Sequence, residues 1–226
     1  MSADLGRLLG GVGAVLLDFD GPVCSIFAGY PAAHVAAELV DVLRRRGVDV
    51  PPELASEPDP LEVLRRSVTM GQSVTPAVED ALCAAERRAV ETAEPTSYGR
   101  EVIVAARQAG LSVAVVSNNS AEAVSAYLAA HRLAGHVSPV VGRAYADPAR
   151  MKPHPDPILR AVRHLGEPPD RCVLVGDSLS DIEGARAAGV RVIGYANRGS
   201  KVDAFRAANA DVVITSMGEV ARVLLG

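Results

Sequence analysis

Val12-Gly13-Ala14-Val15-Leu16-Leu17-Asp18-Phe19-Asp20-Gly21 is the stretch on which the fold turns. Residues 12–19 are almost continuously apolar, the composition of a strand buried on both faces, as strands of parallel sheets are. The run then breaks on two carboxylates and an Asp-Gly pair. A similar pattern recurs downstream of residue 95, where short β-branched runs alternate with helical segments. Strands are expected at 111–116, weakly at 137–141, and at 171–175, 190–194 and 211–214. Helices are expected over 102–109, 121–133, 157–165 and 181–188, then between the last two strands and at the C-terminus. Gly110 and Gly189 stop two of these helices, and Asp156-Pro157 opens a third. Strands alternating with helices mean βαβ units, so the class is α/β, with a doubly wound Rossmann-like parallel sheet as the core.

Residues 23–94 interrupt that rhythm. They give no strand of comparable strength and read instead as three helices, 32–46, 60–70 and 76–93, separated by loops such as Val50-Pro51-Pro52. A strand, a helical insert and the remainder of a sheet imply a core of residues 1–22 and 95–226 carrying an inserted helical cap domain of residues 23–94. Residues 95–99 read as the junction. No internal repeat or low-complexity segment is present.

A chain of 226 residues has room for one large domain or a core with a modest insert. Its 49% hydrophobic and 22% charged content is ordinary for a globular protein and too apolar for disorder. The net charge of −4, the 4% aromatic content and the absence of tryptophan leave little to neutralise phosphates or stack bases, so no nucleic-acid partner is expected. The longest apolar stretch, residues 8–17, is too short to cross a bilayer and holds three glycines, so no membrane partner is expected either. Met-Ser-Ala-Asp lacks the basic region of a signal peptide. Cys24, Cys83 and Cys172 are widely spaced and form neither a disulfide framework nor a zinc knuckle. The expectation is a cytoplasmic protein, monomer or homodimer. Of its 23 basic residues only Lys152 and Lys201 are lysines, an arginine bias attributed to genome composition.

The chemistry concentrates at strand ends, where open α/β sheets bind ligands. Strand alternation puts Asp18 and Asp20 on one side, and carboxylates that close raise one another's pKa unless a cation lies between them. Taken alone, Asp-Gly is also a turn signal. The strand at 111–116 ends in Ser117-Asn118-Asn119-Ser120, a hydroxyl and amides at a helix N-terminus, where an anion is favoured. Ser120 or Asn119 also fits a plain N-cap, and Asn118-Asn119-Ser120 spells a glycosylation sequon that a non-secreted chain would not use. The strand at 171–175 ends in Gly176-Asp177-Ser178-Leu179-Ser180-Asp181, two more carboxylates, with Ser180 or Asp181 available to cap the helix. Lys152, in Met151-Lys152-Pro153-His154-Pro155, would by itself be a solvated surface charge. Acidic pairs after two buried strands, a Ser-Asn after a third and one lysine together suit a divalent cation and a phosphate.

This arrangement resembles the haloacid dehalogenase superfamily over essentially the whole chain, specifically its phosphoglycolate phosphatase-like phosphatases with a small helical cap. Asp18-Phe19-Asp20-Gly21 is similar to the family's first motif, Ser117-Asn118 to its second, Lys152 to its third and Gly176-Asp177 through Asp181 to its fourth. The resemblance implies a Mg²⁺-dependent phosphatase that hydrolyses a small phosphate monoester through an aspartyl phosphate. Asp18 would be the nucleophile and Asp20 the general acid and base. Mg²⁺ would take the Asp18 carboxylate, the Asp20 backbone carbonyl and Asp177, with Asp181 nearby or reached through water. Ser117 and Asn118 would hold phosphoryl oxygens, and Lys152 would offset negative charge. Pro22 departs from the threonine or valine usual after the first motif, and its fixed φ implies a stiffer hinge into the cap.

Specificity is expected to come from residues 23–94, which contain none of the assigned site residues. Phe27 and Tyr30 either roof the site or simply pack. Arg44 to Arg46 and Arg65-Arg66 either bind a second anion or form solvated faces, and His34 receives no assignment. Among competing activities, Asp20 disfavours a dehalogenase, and the absence of lysine from residues 23–94 removes a Schiff-base phosphonate hydrolase. A phosphosugar mutase retains both aspartates and is the runner-up. A catalytically dead binding module would have lost a motif residue, and none is missing.

Overall fold

The apolar run of residues 12–19 lies inside a six-stranded sheet in the computed structural model, which describes residues 2–226. Its strands are β1 (Ala14–Leu17), β4 (Ser112–Val116), β5 (Val140–Val141), β6 (Cys172–Gly176), β7 (Arg191–Tyr195) and β8 (Val212–Ile214). A separate two-residue pair joins β2 (Cys24–Ser25) to β3 (Glu94–Pro95), antiparallel. The large sheet runs β5-β4-β1-β6-β7-β8, and its pairings are all parallel.

The helices are α1 (Ser2–Leu9), α2 (Ala32–Arg45), α3 (Pro52–Ala55), α4 (Pro60–Ser67), α5 (Val74–Ala89), α6 (Gly99–Gln108), α7 (Ala121–Ala130), α8 (Asp156–Leu165), α9 (Leu179–Ala187), α10 (Lys201–Ala207) and α11 (Met217–Leu225). Strand alternation sorts the core into two layers. Val15 and Leu17 of β1 face α1, α6, α7 and α11, whereas Ala14 and Leu16 face α8, α9 and α10. Both faces are covered, which explains why the strand sequences read as unbroken apolar runs rather than alternating ones. No helix among the described residues is long and apolar enough to cross a membrane.

The insert has an apolar cluster of its own. Val35, Leu39 and Leu43 of α2 meet Val63 and Leu64 of α4 and Val78, Leu82 and Ala85 of α5. Met151, from the segment that carries Lys152, packs into the same cluster. Where the chain leaves and re-enters the sheet it is stitched across: Thr96 N donates to Val23 O at 3.0 Å and Thr96 Oγ1 to Gly21 O at 2.5 Å. Gly99 is needed here, because a Cβ would lie 2.6 Å from the Pro22 carbonyl oxygen.

Several sequence expectations differ in detail. α1 was not anticipated, although Leu5, Leu8 and Leu9 sit at helical spacing and are buried. The strand expected at 137–141 shrinks to Val140–Val141, and β2 and β3 add two-residue strands at the edges of a segment expected to hold no strand of comparable strength. The helix expected at 76–93 begins two residues earlier and ends in a 3₁₀ turn, Val90–Thr92.

Candidate active site

The chain reverses direction across the sheet at β1. It runs outward through β4 and β5, then returns to the other flank as β6, β7 and β8. The crevice beyond the carboxyl ends at such a switch point is where open α/β sheets bind ligands. Asp18, Asp20, Ser117, Asn118, Lys152 and Asp177 all line one cavity there, of about 320 Å³. Asp181 is fully buried and touches Lys152.

Lys152 is the centre of the arrangement, and at 2% exposure it is no surface charge. Its Nζ lies 2.9 Å from Asp18 Oδ1, and it donates to Asp181 Oδ1 at 2.6 Å and to the Val116 carbonyl at 2.9 Å. Three partners match the three protons of the ammonium. Burial alone would lower its pKa, but the two carboxylates outweigh that and hold it above the ordinary lysine value. Asn118 fixes the lysine's backbone, accepting from Lys152 N at 2.9 Å and donating from Nδ2 to Lys152 O at 3.1 Å. The Asn118 side chain is therefore committed to Lys152.

The two aspartates of the first motif are held differently. Asp18 Oδ1 accepts from Phe19 N at 2.7 Å as well as meeting Lys152. Burial raises its pKa, the Asp181 charge adds to this and Lys152 opposes it. Asp20 Oδ1 accepts from Ile26 N at 3.0 Å. Burial pushes the Asp20 carboxyl up to about 6, against that hydrogen bond. Gly21 follows with φ +120°, and a Cβ there would fall 2.4 Å from Asp177 Cγ. Only glycine satisfies both the backbone conformation and the close approach.

At the end of β6, Asp181 does two jobs. Its Oδ2 accepts from Ser178 N at 3.0 Å and Ser178 Oγ at 2.6 Å, while Ser178 Oγ accepts from Asp181 N at 3.2 Å. This capping box makes Ser178 the N-cap of α9, in place of the expected Ser180 or Asp181. On α7 the expected N-cap is present, Ser120 Oγ accepting from Ala123 N at 3.3 Å.

Asp177 brought in partners that the sequence did not suggest. Its Oδ2 accepts from Lys201 Nζ at 2.7 Å and Asn197 Nδ2 at 2.9 Å, and Lys201 also donates to the Asp177 carbonyl at 2.6 Å. Burial raises the Asp177 pKa and Lys201 opposes it. The available signal was position: Asn197 and Lys201 follow β7, another buried strand whose end faces the same crevice.

Carboxylate oxygens of Asp18, Asp177 and Asp181 lie within 4.8 Å of one another. Hard oxygen donors in such a group fit Mg²⁺; burial is what chiefly raises the pKa of Asp18 and Asp177, the Asp181 charge adds to it, and a cation would offset both. The Asp20 carboxylate is not in this group; the family resemblance implies a role for its backbone carbonyl instead. From the insert, Phe27, Leu61 and Arg65 reach the cavity. Tyr30 does not line it; its hydroxyl bonds Glu38, and Arg88 lies 5.3 Å over its ring. Arg44 pairs with Asp41 and Arg66 with Glu62, each at 2.9 Å, and His34 is exposed.

Comparisons with known proteins agree with this geometry. The chain is 31% identical over 120 residues to a phosphoglycolate phosphatase of Salmonella typhimurium, covering 53% of this chain and 47% of that protein. It is 32% identical over 111 residues to a phosphoglycolate phosphatase of Escherichia coli K12, covering 49% and 43%. The matches thus span a little under half the length of these curated relatives. Among solved structures, a predicted phosphatase from Clostridium acetobutylicum superposes with a TM-score of 0.71 at 17% identity, over 95% of this chain and 98% of that one. A putative β-phosphoglucomutase from Bacteroides vulgatus gives 0.67 at 18%, over 99% and 98%. At such identities these two establish the fold. A sequence model of the haloacid dehalogenase-like hydrolases matches residues 12–189, from the first strand through the end of α9, and the chain belongs to that family.

Proposed function

We propose that the chain is a phosphatase that moves the phosphoryl group of a small phosphate monoester first to Asp18 and then to water. One observation carries this reading: a buried carboxylate at the switch-point cavity is held by a buried lysine, with a second carboxyl of pKa about 6 two residues on. A carboxylate serves as the nucleophile, and a group that titrates near neutrality is suited to both giving and taking a proton. Mg²⁺ held by Asp18 and Asp177, the Asp20 carbonyl and the neighbouring Asp181 would supply the positive charge that the transferring phosphoryl oxygens require.

The chain's own residues account for the rest. Phe19 N–H and Lys152 fix the Asp18 carboxylate as it attacks phosphorus. The new P–O bond to Asp18 forms as the ester P–O bond breaks, and Asp20 gives its proton to the departing alkoxide. Asp20, now ionised, takes a proton from the water that attacks the phosphorus of the aspartyl phosphate. The bond to Asp18 breaks, inorganic phosphate leaves and both carboxyl groups return to their starting states. In the turn 117–120 the N–H groups of Ser117, Asn119 and Ser120 are taken by Val141 O, Ser117 Oγ and Glu86 Oε2, so Asn118 N–H is the backbone donor for a phosphoryl oxygen, and the Ser117 hydroxyl would join it by turning from Asn119 Oδ1. Lys152 stabilises the charge developing around Asp18.

Residues 23–94 serve as the cap, whose Phe27, Leu61 and Arg65 would meet the leaving group. Because the curated relatives are phosphoglycolate phosphatases, phosphoglycolate is the first ester to try. Purified protein with Mg²⁺ should release phosphate and alcohol in equal amounts from at least one member of a panel containing phosphoglycolate, sugar phosphates and nucleotides, and EDTA should stop the reaction. Turnover undiminished by EDTA would contradict the metal assignment. Isomerisation of a sugar phosphate after priming with a bisphosphate, with little phosphate released, would establish the mutase instead.

A further inference from the structure

A buried charge cluster that the proposed reaction does not use joins the insert to the loop after β4. α5 carries Glu79, Cys83 and Glu86 on one face, at spacings of four and three. Facing them is Arg143, two residues beyond β5. Arg143 Nε donates to Glu79 Oε1 at 2.6 Å and Nη1 to Glu86 Oε1 at 2.5 Å. The three charged side chains are 1%, 2% and 0% exposed. Arg143 Nη2 also reaches Cys83 Sγ at 3.3 Å.

What this cluster grips is the short turn 117–120. Glu86 Oε1 accepts from Asn119 Nδ2 and Oε2 from Ser120 N, each at 3.0 Å. Arg143 Nη1 donates to Asn118 O at 3.1 Å, and Arg143 N to Asn119 O at 3.1 Å. Asn119 in turn brackets Ser117, accepting from its Oγ at 3.1 Å and donating from N to the same Oγ at 3.1 Å. Gly142 allows this closeness, because a Cβ there would lie 2.3 Å from Ala121 N.

Stability alone is a poor reason for such a cluster. Buried ion pairs add little over well-packed apolar side chains, and α5 already has Val78, Leu82 and Ala85 in the apolar cluster of the insert. Positioning is a better one. Donors that stabilise a transferring phosphoryl group act only when held close to their final geometry before the reaction. Resting on the phosphatase reading of the site, we propose that Glu86 and Arg143 are positioning residues that set the phosphate-gripping turn 117–120 from the insert side. The last long helix of the insert is then part of the phosphate site and not a free lid over it.

The test uses the full chain with Glu86→Gln and, separately, Asn119→Ala, which cuts the loop's side of the link without removing a buried charge. Calorimetry with inorganic phosphate and Mg²⁺, kcat and KM on an aryl phosphate, and melting temperature are read together. Both variants should lose phosphate affinity by about ten- to a hundredfold, the scale expected when a binding group is misplaced by around an ångström. The double variant should be no worse than the poorer single, as expected of residues acting through one link. Should Glu86→Gln fail to fold, Asn119→Ala decides alone. A lowered melting temperature with unchanged phosphate affinity and kcat overturns the positioning role and leaves the phosphatase reading standing. Wild-type protein that neither binds phosphate nor turns over any ester removes that reading itself.

Discussion

Asp18 and Asp20 are the same residue type two positions apart, and their surroundings differ in the way the two roles proposed for them require. Asp18 Oδ1 is fixed by Phe19 N–H and Lys152, while among the described residues Asp20 is held by Ile26 N–H and has its pKa raised to about 6. Asp18→Asn should therefore abolish turnover. Asp20→Asn should lower kcat by roughly 10²–10⁴-fold, the usual worth of general acid–base help, while an ester with a good leaving group still phosphorylates Asp18. With that ester, equal losses in both steps of the variant, measured by rapid quench, would contradict the division of roles. Lys152→Met should abolish activity and cost about 3–5 kcal/mol, because Asp18 and Asp181 would keep buried charges without their partner; chemical denaturation measures it. At this scale the sequence revealed the carboxylates, whose strand-end positions are local facts. It did not reveal that Lys152 is buried, that Asn118 spends its side chain on Lys152, or that Lys201 holds Asp177. Those depend on contacts across 36 and 29 positions for the Lys152 amine, 34 for Asn118 and 24 for Lys201.

Strands and helices long enough to show a period were legible, and shorter ones were not. Residues 171–175 and 190–194 read as strands because both sheet faces are covered and every position tends to be apolar, and the strands lie one residue later, at Cys172–Gly176 and Arg191–Tyr195. β2 and β3 have two residues each, which carry no period, and their pairing is set by the chain leaving and re-entering the sheet. That crossing point yields a prediction of its own. Thr96→Val removes the donor to Gly21 O and should cost roughly 1 kcal/mol, the net worth of a typical hydrogen bond, read as a small fall in melting temperature. Within the insert, Leu64→Ala should cost about 2–5 kcal/mol by opening a cavity among α2, α4 and α5. A cost near zero would mean that these helices do not share a packed core.

Across the whole molecule, the insert and the sheet are joined by more than the crossing strands. Met151 packs into the insert's apolar cluster, Tyr145 bonds Asp80 at 2.9 Å, and Glu86 reaches the turn 117–120. The sequence placed all assigned site residues outside residues 23–94, and nothing in a local pattern marks Glu79, Glu86 or Arg143 as one cluster. Excising residues 23–94 would leave Arg143 without its carboxylates, so the remainder should lose phosphate affinity as well as substrate choice. The charge balance of the site also has a global signature. The folded pKa of Asp20, about 6 against an ordinary 3.8, means that folding favours its protonated form. That contribution is complete below about pH 4 and is lost as pH rises through 6. Without Mg²⁺, wild-type protein should therefore lose stability relative to Asp20→Asn between pH 4 and 7, by on the order of 1–3 kcal/mol. Parallel denaturation profiles for the two proteins would contradict it.

In the proposed reaction Asp18 carries the phosphoryl group between substrate and water. Acid quenching during turnover of an aryl phosphate with Mg²⁺, followed by mass spectrometry of the peptide that spans β1 and the residues after it, tests this directly. One phosphoryl group should appear on Asp18, formed and lost at rates that match phosphate release, and be absent from Asp18→Asn. Steady phosphate release with Asp18 unmodified throughout, or with the phosphoryl group on another residue, would contradict it.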